Sequence, residues 1–188
     1  MSEKKETEEK ETEQRKVVKI DEMAPQFKYE ISKMPGAEKI MLCFQCGTCT
    51  ADCPVARFSD AYRPRQILRM AQLGLKDKVL SSEQLWLCAA CYTCVDHCPQ
   101  DVEISSIIRA LRNIAVKEGY MPNIFKESAG AILETGLAYK IPELRLRKRK
   151  DIGLPPLPKT NLENISKLFN RTGFSKMMEK GGKSNART

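Results

Sequence analysis

The chain has 188 residues, of which 30% are charged and 6% aromatic, and a formal net charge of +8. Its longest apolar run, Leu85 to Tyr92, is far shorter than the ~18 residues of a membrane helix, so a direct membrane span is excluded. No apolar signal core opens the chain, so a cytoplasmic protein is expected, in which eight cysteines read as metal ligands or redox groups before disulfides.

Residues 1–16 mix Glu and Lys with no apolar residue after Met1, the composition of a disordered arm. A first helix is expected around Pro25 to Met34, with Phe27, Ile31 and Met34 on one face and Gly36 as its stop. The run CFQCGTCTADCP, Cys43 to Pro54, follows. Next comes PRQILRMAQLG, with Pro64 at the first helical position, Ile67, Leu68 and Ala71 on the apolar face, and Gly74 closing the helix. Ser81 and Gln84 form a capping box that opens a helix through Leu85 and Leu87. That helix leads into a second run, CAACYTCVDHCP, Cys88 to Pro99. Asp101 is placed to cap a longer helix carrying Ile104, Ile107, Ile108, Leu111, Ile114 and Ala115, which Gly119 ends. A further helix is expected from about Pro122 to Thr135. RLRKRK, Arg145 to Lys150, is basic, and GLPPLP, Gly153 to Pro158, is extended. Thr160 and Glu163 make a second capping box, for a short helix ending at Gly173, and the last ten residues read as disordered. No stretch alternates with period two, so almost no sheet is expected.

The two cysteine runs are copies. Each cysteine stands 45 residues after its counterpart: Cys43 and Cys88, Cys46 and Cys91, Cys49 and Cys94, Cys53 and Cys98. Pro54 and Pro99 keep the offset, as do Gly74 and Gly119. A [4Fe–4S] cube needs one thiolate on each iron, and cysteines at i, i+3 and i+6 wrap three corners through tight turns. Their backbone N–H groups then face the sulfurs and the cluster's negative charge. The fourth cysteine is already leaving the loop. In two-cluster ferredoxins that fourth residue ligates the other cluster. Applied here, one cube takes Cys43, Cys46, Cys49 and Cys98, and the other takes Cys53, Cys88, Cys91 and Cys94. Structural zinc prefers two separated cysteine pairs to a dense quartet. Two clusters also absorb part of the basic excess, leaving a net charge of about +4 once eight thiolates and two oxidised cores are counted.

Ordinary bacterial ferredoxins surround this motif with short strands. Here the stretch between Cys53 and Cys88 reads as two helices, which makes the fold class all-α, a helical ferredoxin-type domain with two [4Fe–4S] clusters and extended arms. The expected division is a charged arm over 1–24, the two-cluster domain over 25–140, and a basic, proline-containing tail with a short helix over 141–188. That tail is expected to dock a partner.

Across about residues 25 to 175 the chain resembles the C-subunit of soluble heterodisulfide reductase. The resemblance is carried by CFQCGTCTADCP, YRPRQILRMAQLG, LWLCAACYTCVDHCP with its following helix, and the LPPLP tail. It implies an iron–sulfur subunit that passes electrons from a flavin-containing A-subunit to a catalytic B-subunit. The latter reduces the heterodisulfide of coenzyme M and coenzyme B in methanogenesis. The resemblance also implies a larger assembly with a hydrogenase or a formate dehydrogenase. The chain would then be the non-catalytic, electron-transfer member of an oxidoreductase.

The remaining residues bear on the rivals. His97, the one histidine, adjoins Cys98 and reads as a hydrogen-bonding neighbour, and no nucleophilic triad, phosphate loop or dinucleotide fingerprint occurs. Arg57, Arg63, Arg65 and Arg69 either raise the first cluster's potential, dock a partner or form a solvated face. Trp86 reads as core packing. RLRKRK lacks interleaved aromatics for base stacking, so no nucleic-acid partner is expected. The alternatives are the iron–sulfur subunit of another respiratory or disulfide-reductase-like complex, and a metal-stabilised nucleic-acid module. The succinate dehydrogenase type needs a three-iron cluster and a two-iron domain, for which this chain lacks cysteines.

Overall fold

In the computed structural model, residues 18–158 and 160–180 are described. The arm over 1–16 and nearly all of the last ten residues, both expected to be disordered, lie outside them. The described chain is helical, and no strand occurs among its residues. It divides into two compact units. The first takes the described residues up to Val79 together with Cys88–Ile107; the second takes Leu80–Leu87 and the described residues from Ile108 onward.

In the first unit, helix α1 (Phe27–Ser32) buries Phe27 and Ile31. It packs against a 3-10 turn at Glu38–Leu42, which buries Ile40, and against α4 (Pro64–Leu73). Between them lie two short helices, α2 (Thr48–Ala51) and α3 (Pro54–Phe58), the latter with Pro54 in its first turn. Helix α4 buries Pro64, Ile67, Leu68 and Ala71, the expected stripe, and ends on Gly74 at φ 81°. The Leu75 N–H reaches back to the Met70 carbonyl (3.0 Å) and closes the last turn, as a left-handed glycine cap allows.

Arg63 has a structural duty. Its guanidinium donates to the carbonyls of Ala56, Ser59 and Tyr62 and to the Asp60 carboxylate, clasping the bend between α3 and α4. Arg57, Arg65 and Arg69 are exposed.

The stretch between Cys53 and Cys88 holds one full helix, not two. Besides α4 it has α3, the five-residue α5 (Lys76–Leu80) and a 3-10 turn at Glu83–Leu87. The segment before the second cysteine loop takes the tighter 3-10 form, common in short connectors. The expected capping residue shifts by one: Ser82, not Ser81, accepts from the Gln84 N–H at 3.2 Å. Helix α6 (Thr93–Asp96) follows the second loop, and α7 (Ile104–Lys117) begins three residues after Asp101. Asp101 sits at φ 50° and pairs with Lys39 instead of capping that helix.

The second unit takes most of α7, whose Leu111, Ile114 and Ala115 are buried. Gly119 repeats the Gly74 device: its φ is 93°, and the Tyr120 N–H bonds to the Ala115 carbonyl at 2.8 Å. Helix α8 (Asn123–Thr135) ends on Gly136. Trp86 packs on Phe125 at 5.2 Å between ring centroids and lies under the Arg112 guanidinium, the packing role expected of it. Helix α9 (Glu143–Asp151) carries the basic run and buries nothing. Helix α10 (Leu162–Arg171) packs on α8, and α11 (Phe174–Lys180) follows. Phe169 and Phe174 meet edge to face at 5.1 Å.

The cap of α10 is Asn161, whose side-chain oxygen accepts from the Asn164 N–H at 3.1 Å, and not Thr160. Asn161→Ala is expected to weaken this helix by about 1 kcal/mol. Faster hydrogen exchange confined to the α10 amides is the measurement that checks it.

Candidate metal centre

Each cysteine run folds as an open loop followed by one helical turn, and the two loops have the same backbone. Gln45 and Gly47 are left-handed in the first (φ 67° and 97°), and Ala90 and Tyr92 in the second (φ 52° and 65°). Both pairs keep the 45-residue offset. Left-handed residues at alternate positions curl the chain so that its N–H groups line a concavity, the backbone form that receives anions and iron–sulfur centres. Glycine takes this conformation freely, whereas Gln45, Ala90 and Tyr92 bear a cost of about 1 kcal/mol each. Three strained residues in two short loops mark the loops as functional.

The electrostatics of the two loops also match. Cys46 and Cys91 are exposed, and the Thr48 and Thr93 hydroxyls lie 3.4 and 3.5 Å from their sulfurs. Hydroxyl donation by these threonines holds both thiols below the ordinary range. Cys49 and Cys94 are buried, and burial pushes them up, to about 11 and about 12. A buried thiol becomes a thiolate at neutral pH only when a cation stands beside it, and a coordinated metal supplies that charge. In each loop the second cysteine is thus exposed and the third buried.

The neighbours of the buried pair come from both runs. Cys49 is acted on by the charges of Cys43, Cys46 and Cys98. Cys94 is acted on by those of Cys88, Cys49, Cys91 and Cys53. Cys53, Cys88, Cys91 and Cys94 line a single cavity together with Tyr62, Pro64 and Ser105. None of the eight cysteines is in a disulfide. No three His, Cys, Asp or Glu among the described residues close on one metal ion. A cube spreads its thiolates over four irons and does not require that convergence.

Helices α2 and α6 pack on each other, and beside them Asp52 and His97 pair, Oδ2 to Nδ1 at 2.8 Å. These residues are themselves 45 apart. Equivalent positions of a duplicated unit touch only near the axis that relates the copies, so this pair marks a local pseudo-twofold between the loops. His97 is half-exposed and bonded to Asp52, the neighbour role its position predicts.

Several residues at the loops escape a reading of the sequence. Gln45 donates to the Cys43 sulfur at 3.4 Å and to Gln72 Oε1 at 3.2 Å. Gln72 in turn bonds the Ile40 and Cys43 carbonyls, at 2.9 and 3.1 Å. The Val102 N–H reaches the Cys98 sulfur at 3.3 Å. Tyr62, 1% exposed, lines the cavity of Cys53, Cys88, Cys91 and Cys94. Burial first, and then the neighbouring Cys88, keeps its phenol protonated far above the usual range. Only the threonines had a signal, since CGTC and CYTC share Thr at the same offset.

A helical unit with two equivalent cysteine loops around adjoining thiol sets defines a dicluster iron–sulfur protein, a class that moves electrons. Similarity to known proteins agrees: the model of the 4Fe-4S dicluster domain matches residues 39–102. A relative from Methanopyrus kandleri, the iron–sulfur C-subunit of CoB–CoM heterodisulfide reductase, is 38% identical over 86% of this chain and 91% of its own. The second iron–sulfur C-subunit of that name, from Methanocaldococcus jannaschii, is also 38% identical, over 86% and 93%. The C-subunit of the H2:CoB–CoM heterodisulfide,ferredoxin reductase from Methanothermobacter thermautotrophicus is 35% identical, over 78% and 82%. The chain belongs to the C-subunit family of heterodisulfide reductases. It is thus an iron–sulfur electron-transfer subunit of a multi-subunit oxidoreductase, built for [4Fe–4S] clusters. No described helix is long and apolar enough to cross a membrane.

Proposed function

We propose that this chain is the electron-conducting subunit of a cytoplasmic heterodisulfide reductase and holds two clusters with crossed ligation. Cys43, Cys46, Cys49 and Cys98 hold one, and Cys53, Cys88, Cys91 and Cys94 hold the other. The observation that carries this reading is the cavity that Cys53 shares with Cys88, Cys91 and Cys94, away from the other cysteines of its own run. When bound, the clusters carry single electrons between a flavin-containing A-subunit and the catalytic B-subunit, where the coenzyme M–coenzyme B heterodisulfide is reduced.

The residues of this chain bind and tune. The loop backbone cradles negative charge, the threonines and Gln45 donate to thiolates, and the packed helices exclude water. In this reading no side chain of the chain acts on the disulfide, whose cleavage belongs to the catalytic partner. The relative from Methanothermobacter, named for H2, heterodisulfide and ferredoxin, supports a larger assembly with a hydrogenase as donor; a formate dehydrogenase is the alternative donor in this reading.

The test is reconstitution. The loaded chain is expected to hold about eight irons and to show two magnetically interacting centres on reduction. It should restore electron flow from the flavin-containing partner to the catalytic one when added to both, and should not reduce the heterodisulfide alone. Turnover by the isolated chain, or about four irons at full loading, overturns the reading.

A further inference from the structure

Helix α9 (Glu143–Asp151) carries five cations in six residues, Arg145 and Arg147 to Lys150, and buries none of its residues. Arg145, Lys148 and Arg149 stand at i, i+3 and i+4 and so share one face. The helix's two acids, Glu143 and Asp151, stand four residues either side of Arg147, toward the opposite face. Among the described residues none of the five cations forms an ion pair. The end of the helix is fixed. Gly153 is left-handed (φ 73°), its N–H bonds the Lys150 carbonyl at 3.0 Å, and the Leu154 N–H bonds the Arg149 carbonyl at 3.0 Å. These two bonds make a double cap on the last turn. Arg149 also donates Nε–H to the Pro155 carbonyl at 2.9 Å, tying the helix to the proline segment. The charge itself does little for the fold. The helix dipole favours cations in the last turn, but Arg145 lies in the first, where positive charge is disfavoured. Like charges at i, i+3 and i+4 also repel. The face formed by Arg145 and Lys148 therefore costs the folded chain stability that nothing within the described residues offsets.

We propose that the Arg145–Lys148 face of α9 docks an acidic surface on a partner subunit of the oxidoreductase. The inference rests on the subunit role proposed above and adds the chemistry of one contact. Charge complementarity selects the occupant. Arginine forks match carboxylates in paired hydrogen bonds, and Arg145 and Lys148 are both exposed on a capped, positioned helix. An anionic membrane surface takes a helix with a broad apolar face. The only apolar residues of α9, Leu144 and Leu146, stand two positions apart and so face opposite sides. Single-stranded nucleic acid is held by cations together with aromatic rings on which bases stack, and α9 has no aromatic residue. A carboxylate-bearing protein surface asks only for the ordered cations that are present. Such a contact steers association by charge, fixes the register of the partner and weakens as salt screens it.

The experiment measures binding of the full-length, iron-loaded chain to the purified flavin-containing and catalytic partners, at low and high salt. Arg145→Glu with Lys148→Glu is expected to weaken binding to one of them by about tenfold or more and to flatten its salt dependence. Arg149 is left in place because it holds Pro155. Arg147→Glu with Lys150→Glu changes the net charge equally on the other face and is expected to have a clearly smaller effect. Iron content and helicity should match the parent chain in both double variants. The inference is overturned if neither pair of changes weakens binding, or if both weaken it alike. It is overturned too if the first pair spares partner binding and instead abolishes binding to phosphatidylserine vesicles or to an RNA oligonucleotide. Should the first double variant lose iron or helicity, carbodiimide coupling of the unaltered complex decides. A link from Lys148 to an aspartate or glutamate of a partner is expected, and links from other lysines alone overturn the inference. Failure of the subunit role reads differently: an unaltered chain that binds neither partner sinks that role, and the inference with it, before any variant is compared.

Discussion

Cys53→Ala is expected to remove the cluster at Cys88, Cys91 and Cys94, far along the chain, and to leave the one at Cys43, Cys46 and Cys49. Sequence proximity predicts the opposite. Cys53 sits in extended backbone (φ −71°, ψ 120°) at the start of α3, just past the helical turn that carries Cys49. Pro54 commits the next residues to a new helix. The Cys53 thiol, 7% exposed, lies in the cavity with Cys88, Cys91 and Cys94. Removing it takes the anchor from one iron of that cube and leaves the other cube with all four. The iron content should fall from about eight by roughly one to four per chain, depending on whether a three-iron core survives. The remaining spectrum should match that of Cys91→Ala and differ from that of Cys46→Ala. The reverse match would show that each run serves its own cube.

The largest loss of stability outside the ligands is expected from Gly74→Ala. Gly74 closes α4 at φ 81°, where an L-residue costs about 1–2 kcal/mol. Its surroundings add more. A methyl there would lie 2.3 Å from the carbonyl oxygen of Ala24 and 2.6 Å from its carbon. That segment cannot move freely, because the Ala24 N–H bonds the Gly74 carbonyl at 2.7 Å and its carbonyl accepts from Phe27 as α1 begins. Relief therefore means separating α1 from the end of α4. The expected cost is about 3–5 kcal/mol, or roughly 6–20 °C in melting midpoint for a chain of this size. Gly153 is the control: its φ of 73° is just as left-handed, with nothing within 4 Å, so alanine there should cost only the backbone term of about 1–2 kcal/mol. Melting followed by circular dichroism at one scan rate ranks the two. Equal losses at both positions would show that the Ala24 contact contributes nothing.

The duplication explains both the symmetry of the site and where it is broken. Loop conformation, threonine donors and the exposed second and buried third thiols follow the repeat, because each is set by residues within a few positions of the cysteines. The Asp52–His97 pair lies at the local axis and is already asymmetric, an acid on one copy and an imidazole on the other. Gln45 extends that asymmetry to a ligand sulfur, since its amide reaches Cys43 while its counterpart, Ala90, has no donor to offer Cys88. The ligands stay alike while their surroundings diverge, which is how two similar centres take on different potentials.

Sequence alone determined what depends on near neighbours. The 45-residue echo, the helix from Pro64 to Leu73 with its glycine stop, and the near absence of strand all follow from spacing, periodicity and turn chemistry. The family was legible for the same reason, since its motifs are contiguous. Errors at this level were small and local. Ser81 and Ser82 are equivalent as caps, as are Thr160 and Asn161, and only the final backbone path selects between such neighbours. The expected helix before the second run is a five-residue 3-10 turn, Glu83–Leu87.

Tertiary structure decided whatever joins distant segments. Nothing in the spacing places Tyr62 in the cavity of Cys88, Gly74 against Ala24, or Asp52 beside His97. Those contacts span tens of residues and exist only once α1, α2, α4 and α6 have packed. A buried ring or thiol finds its partner through the shape of that packing, which no local pattern encodes.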